Sequence, residues 1–211
     1  MGGDGMWFAR KRRSAMTGLL ALTGLALATG GPARADSITM KVNGWSNPPI
    51  GYVQFCRQFA DQCAPQGHET AASLTPERWR DLQKVNLLVN QSVTPVTDLA
   101  YYNTEEVWAL PGSYGDCEDY VLMKRKLLVE RGWSTGALLV TVVFDEVGDG
   151  HAVLLVRTDR GELVLDNKTD AILAWYDTAY RFVKRQSIGD PNRWVSVGDP
   201  RWTARSTAAP R

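Results

Sequence analysis

This chain is short of several things, and each shortage narrows its reading. It has no excess of charge: 24 basic against 23 acidic residues leave a formal net charge of +1. Nothing in that balance asks for nucleic acid or an anionic membrane surface as a partner. Histidine occurs only twice, as His68 and His151, so any imidazole chemistry rests on one of them. Cysteine occurs three times, an odd number that cannot be fully paired within one chain. No internal repeat is visible, which sets aside a solenoid or propeller. Beyond the first segment, no apolar run approaches the roughly 20 residues that a spanning helix needs.

That first segment reads as an address. Arg10-Lys11-Arg12-Arg13 precedes an apolar stretch from about Ala15 to Ala28, and Ala33-Arg34-Ala35 has the small-x-small pattern of a cleavage site. Residues 1–35 are therefore expected to be a Sec-type signal peptide, with Met1 or Met6 as its start. Of the 24 basic and 23 acidic residues, Arg10, Lys11, Arg12, Arg13, Arg34 and Asp4 leave with it, so 19 basic and 22 acidic remain. The mature chain is expected to be soluble and periplasmic, with one domain over 36–202 and a frayed tail over 203–211. Cys56 and Cys63, seven apart in a polar segment, suit a small-loop disulfide in an oxidising compartment. Cys117 is then left over, and an unpaired cysteine kept there points to a reactive thiol.

Cys117 lies in Gly115-Asp116-Cys117-Glu118-Asp119-Tyr120, followed by the apolar-patterned run Val121, Leu122, Met123, Leu127, Leu128 and Val129. Asp116 is a good N-cap, and Asp119 three residues on completes a capping-box-like pattern. Cys117 would occupy the first turn of a helix, where unpaired N–H groups and the helix dipole favour a thiolate. The plainer reading is a small core residue.

Elsewhere, Pro48-Pro49 bars helix in an extended N-terminal stretch, and Tyr52, Val53, Phe55 and Phe59 are expected in the core. Thr75-Pro76 opens a helix that turns Trp79, Leu82, Val85 and Val89 inward and ends at Pro95. Asn86 and Asn90 lie one turn apart on it, either exposed or hydrogen-bonded to loops; spacing does not choose. Residues 98–114 connect to the Cys117 helix, which runs to about Glu130 before Gly132. The period then changes to that of strands: 137–144, 151–157 and 162–166, with Thr158-Asp159-Arg160-Gly161 as a tight hairpin loop. Their continuous apolar runs suggest an antiparallel sheet covered on at least part of both faces. Tyr180 to Ser187 reads as an outer strand, and 194–197 as one more.

If Arg157 pairs with Glu162 across that hairpin, Val153 opposes Asp166, and His151 shares a face with Asp166 as a diagonal neighbour. A one-residue change in loop length would put them on opposite faces. Cysteine as nucleophile, histidine as base and a carboxylate to fix the imidazole's tautomer form one catalytic set. His68, in a polar glycine-containing loop, is the expected bystander. Singly, His151 reads as a turn-edge residue and Asp166 as a strand-ending cap; together with an odd cysteine they read as catalysis.

The runs Gly115–Tyr120, Gly150-His151-Ala152-Val153-Leu154 and Leu163-Val164-Leu165-Asp166-Asn167, with Val85-Asn86-x3-Asn90, Asp98 and Trp108 upstream, resemble the bacterial transglutaminase-like cysteine peptidases. The resemblance covers most of the mature chain. It implies an α+β, papain-like or transglutaminase-like core: a nucleophile helix packed on an antiparallel sheet. It implies Cys117 as nucleophile, His151 as base, Asp166 as orienting carboxylate and Trp108 as a helper of the oxyanion hole, beside the backbone N–H of Cys117. The acids flanking Cys117 should repel a thiolate. They are turned outward, paired with cations, or bound to a hard cation such as Ca²⁺. LapG-like members of the family bind calcium beside the cysteine, which points to Asp116, Glu118 and Asp119 as ligands. It further implies a protein substrate in the periplasm or envelope and an inner-membrane regulatory receptor. The expected activity is that of a thiol endopeptidase, a hydrolase. A transglutaminase- or amidase-type acyl transferase with the same triad, and a non-catalytic calcium-dependent binding module, are the alternatives.

Overall fold

The computed structural model describes residues 39–199 and Arg201. The expected signal peptide and C-terminal tail lie outside those residues. Nine strands and four α-helices are described: β1 (Lys41–Ser46), α1 (Ile50–Gln58), α2 (Pro76–Ser92), β2 (Thr94–Pro95), α3 (Asp98–Tyr102), β3 (Tyr114–Gly115), α4 (Cys117–Val129), β4 (Leu138–Phe144), β5 (Gly150–Thr158), β6 (Gly161–Leu165), β7 (Leu173–Ala174), β8 (Arg181–Gln186) and β9 (Trp194–Gly198). Seven strands form one antiparallel sheet in the order β1-β9-β8-β4-β5-β6-β7, and β2 and β3 pair parallel in a small second sheet. The fold is α+β, as the family resemblance implies.

Strand parity divides the core. Leu138 and Val140 of β4, with Ala152, Leu154 and Val156 of β5, join the cluster that holds Leu82, Val85 and Val89 of α2 and Val121, Leu122 and Leu128 of α4. Leu139, Val143, Val153, Leu155 and Val164 join Trp175, Tyr180 and Phe182 in a second cluster. Both faces of the central strands are thus covered, which is why their apolar runs are unbroken rather than alternating. Helix α2 starts as expected, with Thr75 Oγ1 accepting from Arg78 N–H and proline in the first turn. It stops at Ser92, short of Pro95.

Three local readings need correction. The stretch taken as a plain connector contains the short helix α3. Of the four residues expected in the core after Pro49, Tyr52 and Phe55 are buried on helix α1, but Val53 is half-buried and Phe59, just past the helix end, is exposed; the Cys56–Cys63 disulfide joins α1 to the turn that follows. And β8 is an interior strand, between β9 and β4, although its sequence looks like an edge. Its buried polar residues find partners there: Gln186 accepts from Val140 N–H and donates to the Tyr52 hydroxyl and Pro191 carbonyl, while Arg185 donates one bond to the Gln186 carbonyl and leaves its Nε without a partner. Buried polar groups with partners carry little of the cost that would keep them at the surface.

Candidate active site

Cys117 is the first residue of α4, and it is a free thiol. The helix starts without the expected capping box, because its acids are used elsewhere. Asp116 makes no side-chain cap bond; its Oδ2 accepts from Asp98 N–H at 3.2 Å. Asp119 Oδ1 accepts from Ala109 N–H at 2.7 Å. These carboxylates therefore tie the segment 98–109 to the start of the helix. Gly115 permits the approach: a Cβ there would lie 2.7 Å from Asp119 Oδ2.

The β5–β6 hairpin has the expected register, with Arg157 opposite Glu162 and Leu154 opposite Leu165. His151 Nε2 lies 2.9 Å from Asp166 Oδ1, and both residues are buried. An ionised carboxylate only accepts, so Nε2 carries the proton and Nδ1 keeps its lone pair. Asp166 is held further by Lys168 N–H on Oδ1 at 3.1 Å and by the Tyr180 hydroxyl on Oδ2. Burial works against its charge, but the bonds from His151, Tyr180 and Lys168 outweigh it and hold its pKa below the ordinary carboxylate range. The loop that carries it is fixed from α2. Asn90 donates to the Asp166 carbonyl at 3.0 Å, and Asn86 to the Asp170 carbonyl at 3.1 Å. Of the two readings open for these asparagines, hydrogen bonding to a loop is the one realised.

By parity His151 belongs with Val153 and Leu155, on the face opposite α4. It stands at the start of β5, where the sheet ends, and there it lines a cavity of about 330 Å³ together with Cys117. Pro49, Ile50, Val142 and Ala152 give that cavity apolar walls; Glu106, Glu118 and Lys184 give it charge. Trp108 lines it too, resting on α1 where Gly51 leaves room: a Cβ there would fall 2.2 Å from the indole Cδ1. Its indole N–H donates to Glu106 Oε2 at 3.2 Å. The expected oxyanion helper thus already has a partner, and Glu106 holds it from a left-handed backbone conformation at φ 60°. His68 is exposed.

The electrostatics reverse one expectation. The helix terminus should favour a thiolate, yet the Cys117 thiol is pushed far above its ordinary range. Burial is the first cause and the Glu118 charge the second, while the Ala152 N–H opposes them. The thiol donates to Glu118 Oε2 at 3.2 Å. A helix terminus contributes only a fraction of an elementary charge, and here it loses to a neighbouring carboxylate.

The acids are strained in the same sense. Burial first, then the Asp116 charge, raises Glu118 well above the carboxylate range. Burial raises Asp119 to about 7, and Asp98 also rises, by burial and then by Asp116. Asp98, Asp116 and Glu118 each offer an oxygen, all within 4.8 Å of one another. Asp116 Oδ1 is buried without a hydrogen-bond partner. Converging buried carboxylates with an unused oxygen are a donor set that fits a hard divalent cation. Two of the three, Asp116 and Glu118, are among the expected ligands Asp116, Glu118 and Asp119. The third is Asp98, eighteen residues upstream of Asp116; Asp119 is not in this group, its Oδ1 accepting from Ala109 N–H and its Oδ2 buried without a hydrogen-bond partner.

Residues 42–202 match the family model of the bacterial transglutaminase-like cysteine proteinases, BTLCP. The chain belongs to this family. It is a cysteine peptidase of the transglutaminase-like type. Among solved structures it is similar to Legionella pneumophila LapG, at 21% identity and a TM-score of 0.49, over 75% of this chain and 84% of that one. Calcium-bound LapG from the same organism gives 20% identity and a TM-score of 0.49, over 75% and 88%. EGTA-treated LapG gives 20% and 0.48, over 75% and 86%. No curated protein matches the chain significantly. Among the described residues, no helix is long and apolar enough to cross a membrane.

Within this proteinase chain, three site features escaped the sequence reading. Tyr180 sits in a stretch that reads only as strand. Lys124, completely buried on α4, looks in sequence like any charged helical residue. Glu106 shows its role only once Trp108 is placed. For Asp98 a signal existed, as part of the family resemblance, but nothing in the spacing joined it to the acids at Cys117.

Proposed function

We propose that this protein is an exported cysteine endopeptidase that cleaves a protein of the periplasm or cell envelope through Cys117, His151 and Asp166. In this reading residues 1–35 are the signal peptide and 36–202 the peptidase domain. The observation that carries it is the 2.9 Å His151–Asp166 contact at the rim of the cavity that Cys117 also lines. With Nε2 bonded to Asp166, His151 presents Nδ1 as the acceptor for the thiol proton. Cys117 Sγ attacks the scissile carbonyl and forms an acyl-enzyme. His151 returns the proton to the departing amine, then activates the water that releases the acid. Asp166 keeps the tautomer and stabilises the imidazolium. The backbone N–H of Cys117 receives the developing oxyanion; Trp108 supports that wall and is secondary to it.

Asp98, Asp116 and Glu118 would hold a calcium ion. When bound, it supplies positive charge beside Cys117, offsetting the carboxylates that keep the thiol protonated. Glu118 would then turn from acceptor of the thiol proton into a ligand. An inner-membrane receptor that governs access to the substrate completes the proposed setting.

The deciding experiment follows the rate of Cys117 labelling by iodoacetamide against pH, on the mature chain with calcium and with a chelator. Fast labelling well below the ordinary thiol pKa of about 8.5, lost in His151→Ala, is the expected result. Slow labelling that rises only near the free-thiol range, unchanged in His151→Ala, would overturn the triad. An added primary amine separates hydrolysis, in which it is ignored, from acyl transfer, in which it enters the product.

A further inference from the structure

We propose that Tyr180 is a positioning residue for the His151–Asp166 pair: its hydroxyl anchors the second carboxylate oxygen, and its ring edge sets the imidazole plane. The inference rests on the triad reading above. Asp166 Oδ1 receives His151 Nε2 at 2.9 Å and Lys168 N–H at 3.1 Å, while Oδ2 receives the Tyr180 hydroxyl. A carboxylate held at one oxygen can still pivot about its side-chain bonds. Held at both oxygens from three separate segments, it cannot turn without breaking a bond. Tyr180 stands just before β8, Lys168 in the loop after β6, and His151 on β5.

The tyrosine is itself fixed. It is buried in the second core cluster with Trp175 and Phe182, so its hydroxyl has one direction available. Its ring meets His151 edge to face, with centroids 5.5 Å apart and planes at 70°. Burial, then the hydrogen bond to Asp166 and the Asp166 charge, hold the phenol well above its ordinary pKa. It is therefore a donor at any pH at which the protein works. The charged groups around this pair are Asp145 and Glu146 at the β4–β5 turn, Lys168 beside them, Asp170 in the loop after β6 and Lys124 from α4; across the cavity that His151 lines stand Glu118 beside Cys117 on α4, Glu106 before Trp108 and Lys184 on β8.

The hydroxyl draws off part of the Asp166 charge. Without it, the whole of that charge acts on His151, and the imidazolium keeps its proton to higher pH. The carboxylate also becomes free to swing, so the tautomer is less strictly held.

With only two histidines, the chain gives a clean readout. Imidazole NMR titrations compare the mature chain carrying Cys117→Ala with the same chain carrying Cys117→Ala and Tyr180→Phe, with calcium present. The expected result is an upward shift of the His151 midpoint by about half a pH unit or more, with a mixed tautomer, while exposed His68 is unmoved. A His151 midpoint and tautomer unchanged in Tyr180→Phe would overturn the proposal. Equal movement of His68 would mark general unfolding, and the next variant then decides. Should Tyr180→Phe fail to fold, 3-fluorotyrosine at position 180, a stronger donor of similar shape, decides: a downward shift supports the proposal and no shift overturns it. Failure of the triad itself reads differently, because iodoacetamide labelling would then be indifferent to His151→Ala.

Discussion

Arg157 stands directly opposite Glu162 across the β5–β6 turn, and this pairing turns His151 and Asp166 to the same face. Side chains alternate along a strand, so a slip of one residue would separate the pair by the thickness of the sheet. Arg157 Nε also bonds to Glu162 Oε1 at 3.2 Å, which favours the register locally. The contact on which the proposed chemistry depends is thus set at the far end of the hairpin, several residues from the cavity.

Removing the proposed nucleophile should cost activity and spare the fold. Cys117→Ala is expected to reduce peptide hydrolysis by at least about 10³-fold. Cys117 is only half-buried and lies outside the most enclosed part of the core, so the thermal midpoint should stay within a few degrees. Unfolding of Cys117→Ala in a melt would instead mark the residue as structural.

Asp166 and Asp170 sit in one loop but differ in partner. Asp166 faces His151, whereas Asp170 accepts from Asn90 at 2.8 Å. Asp166→Asn should lower kcat by roughly 10²- to 10⁴-fold, the scale seen when a triad carboxylate loses its charge. Asp170→Asn should cost less than tenfold. Equal losses in kcat would remove Asp166 from its role.

The acid cluster predicts a ligand effect on stability. Calcium at about 100 times its dissociation constant should stabilise the fold by about 2.7 kcal/mol, and a chelator should reverse it. Asp98→Asn and Glu118→Gln should each abolish the shift in a melt followed with and without calcium. If Asp98→Asn kept the full shift while Asp119→Asn lost it, the ligand set first expected from the sequence would stand.

Lys124 predicts a pH dependence of a different kind. It is fully buried, its ammonium has no hydrogen-bond partner, and it lies over the Tyr120 ring at 5.9 Å. Burial lowers its pKa from 10.5 to about 7, with Asp166 and Asp170 opposing. Between those two values the unfolded chain binds the extra proton, so stability should rise with pH across that window and be lowest below it. Lys124→Met should flatten this rise and strengthen the fold at low pH, by on the order of 1 kcal/mol or more. Denaturant titrations below pH 7 and above pH 9 measure it; an unchanged slope in Lys124→Met would show that Lys124 is not its source.

The Cys56–Cys63 bridge closes a short loop with its Cα atoms 5.6 Å apart. For so short a loop, chain entropy puts its worth at about 2 to 3 kcal/mol. Cys56→Ser with Cys63→Ser should lower stability by that amount, measured by urea unfolding. The cavity that Cys117 lines contains neither Cys56 nor Cys63, so labelling of Cys117 should keep its rate at temperatures where the variant is folded.

What sequence alone determined was whatever is local or periodic. Thr75-Pro76 marks a helix start because capping involves neighbouring residues. The runs of β4, β5 and β6 mark strands because side chains alternate, and a short turn fixes their register through few bonds. That was enough to place His151 beside Asp166. The odd cysteine count and the family resemblance joined both to Cys117, which no spacing could give across 34 residues.

Tertiary structure alone decided the rest, because it depended on what lies opposite. Gln186 looks like an edge residue until Val140, Tyr52 and Pro191, from other segments, satisfy it in the middle of the sheet. Asp116 and Asp119 look like helix caps until Asp98 and Ala109 N–H groups arrive to claim them. The Cys117 thiol looks activated until burial and Glu118 outweigh the helix terminus. In each case a long-range neighbour competes with a local preference worth about 1 kcal/mol, and desolvation makes the neighbour stronger.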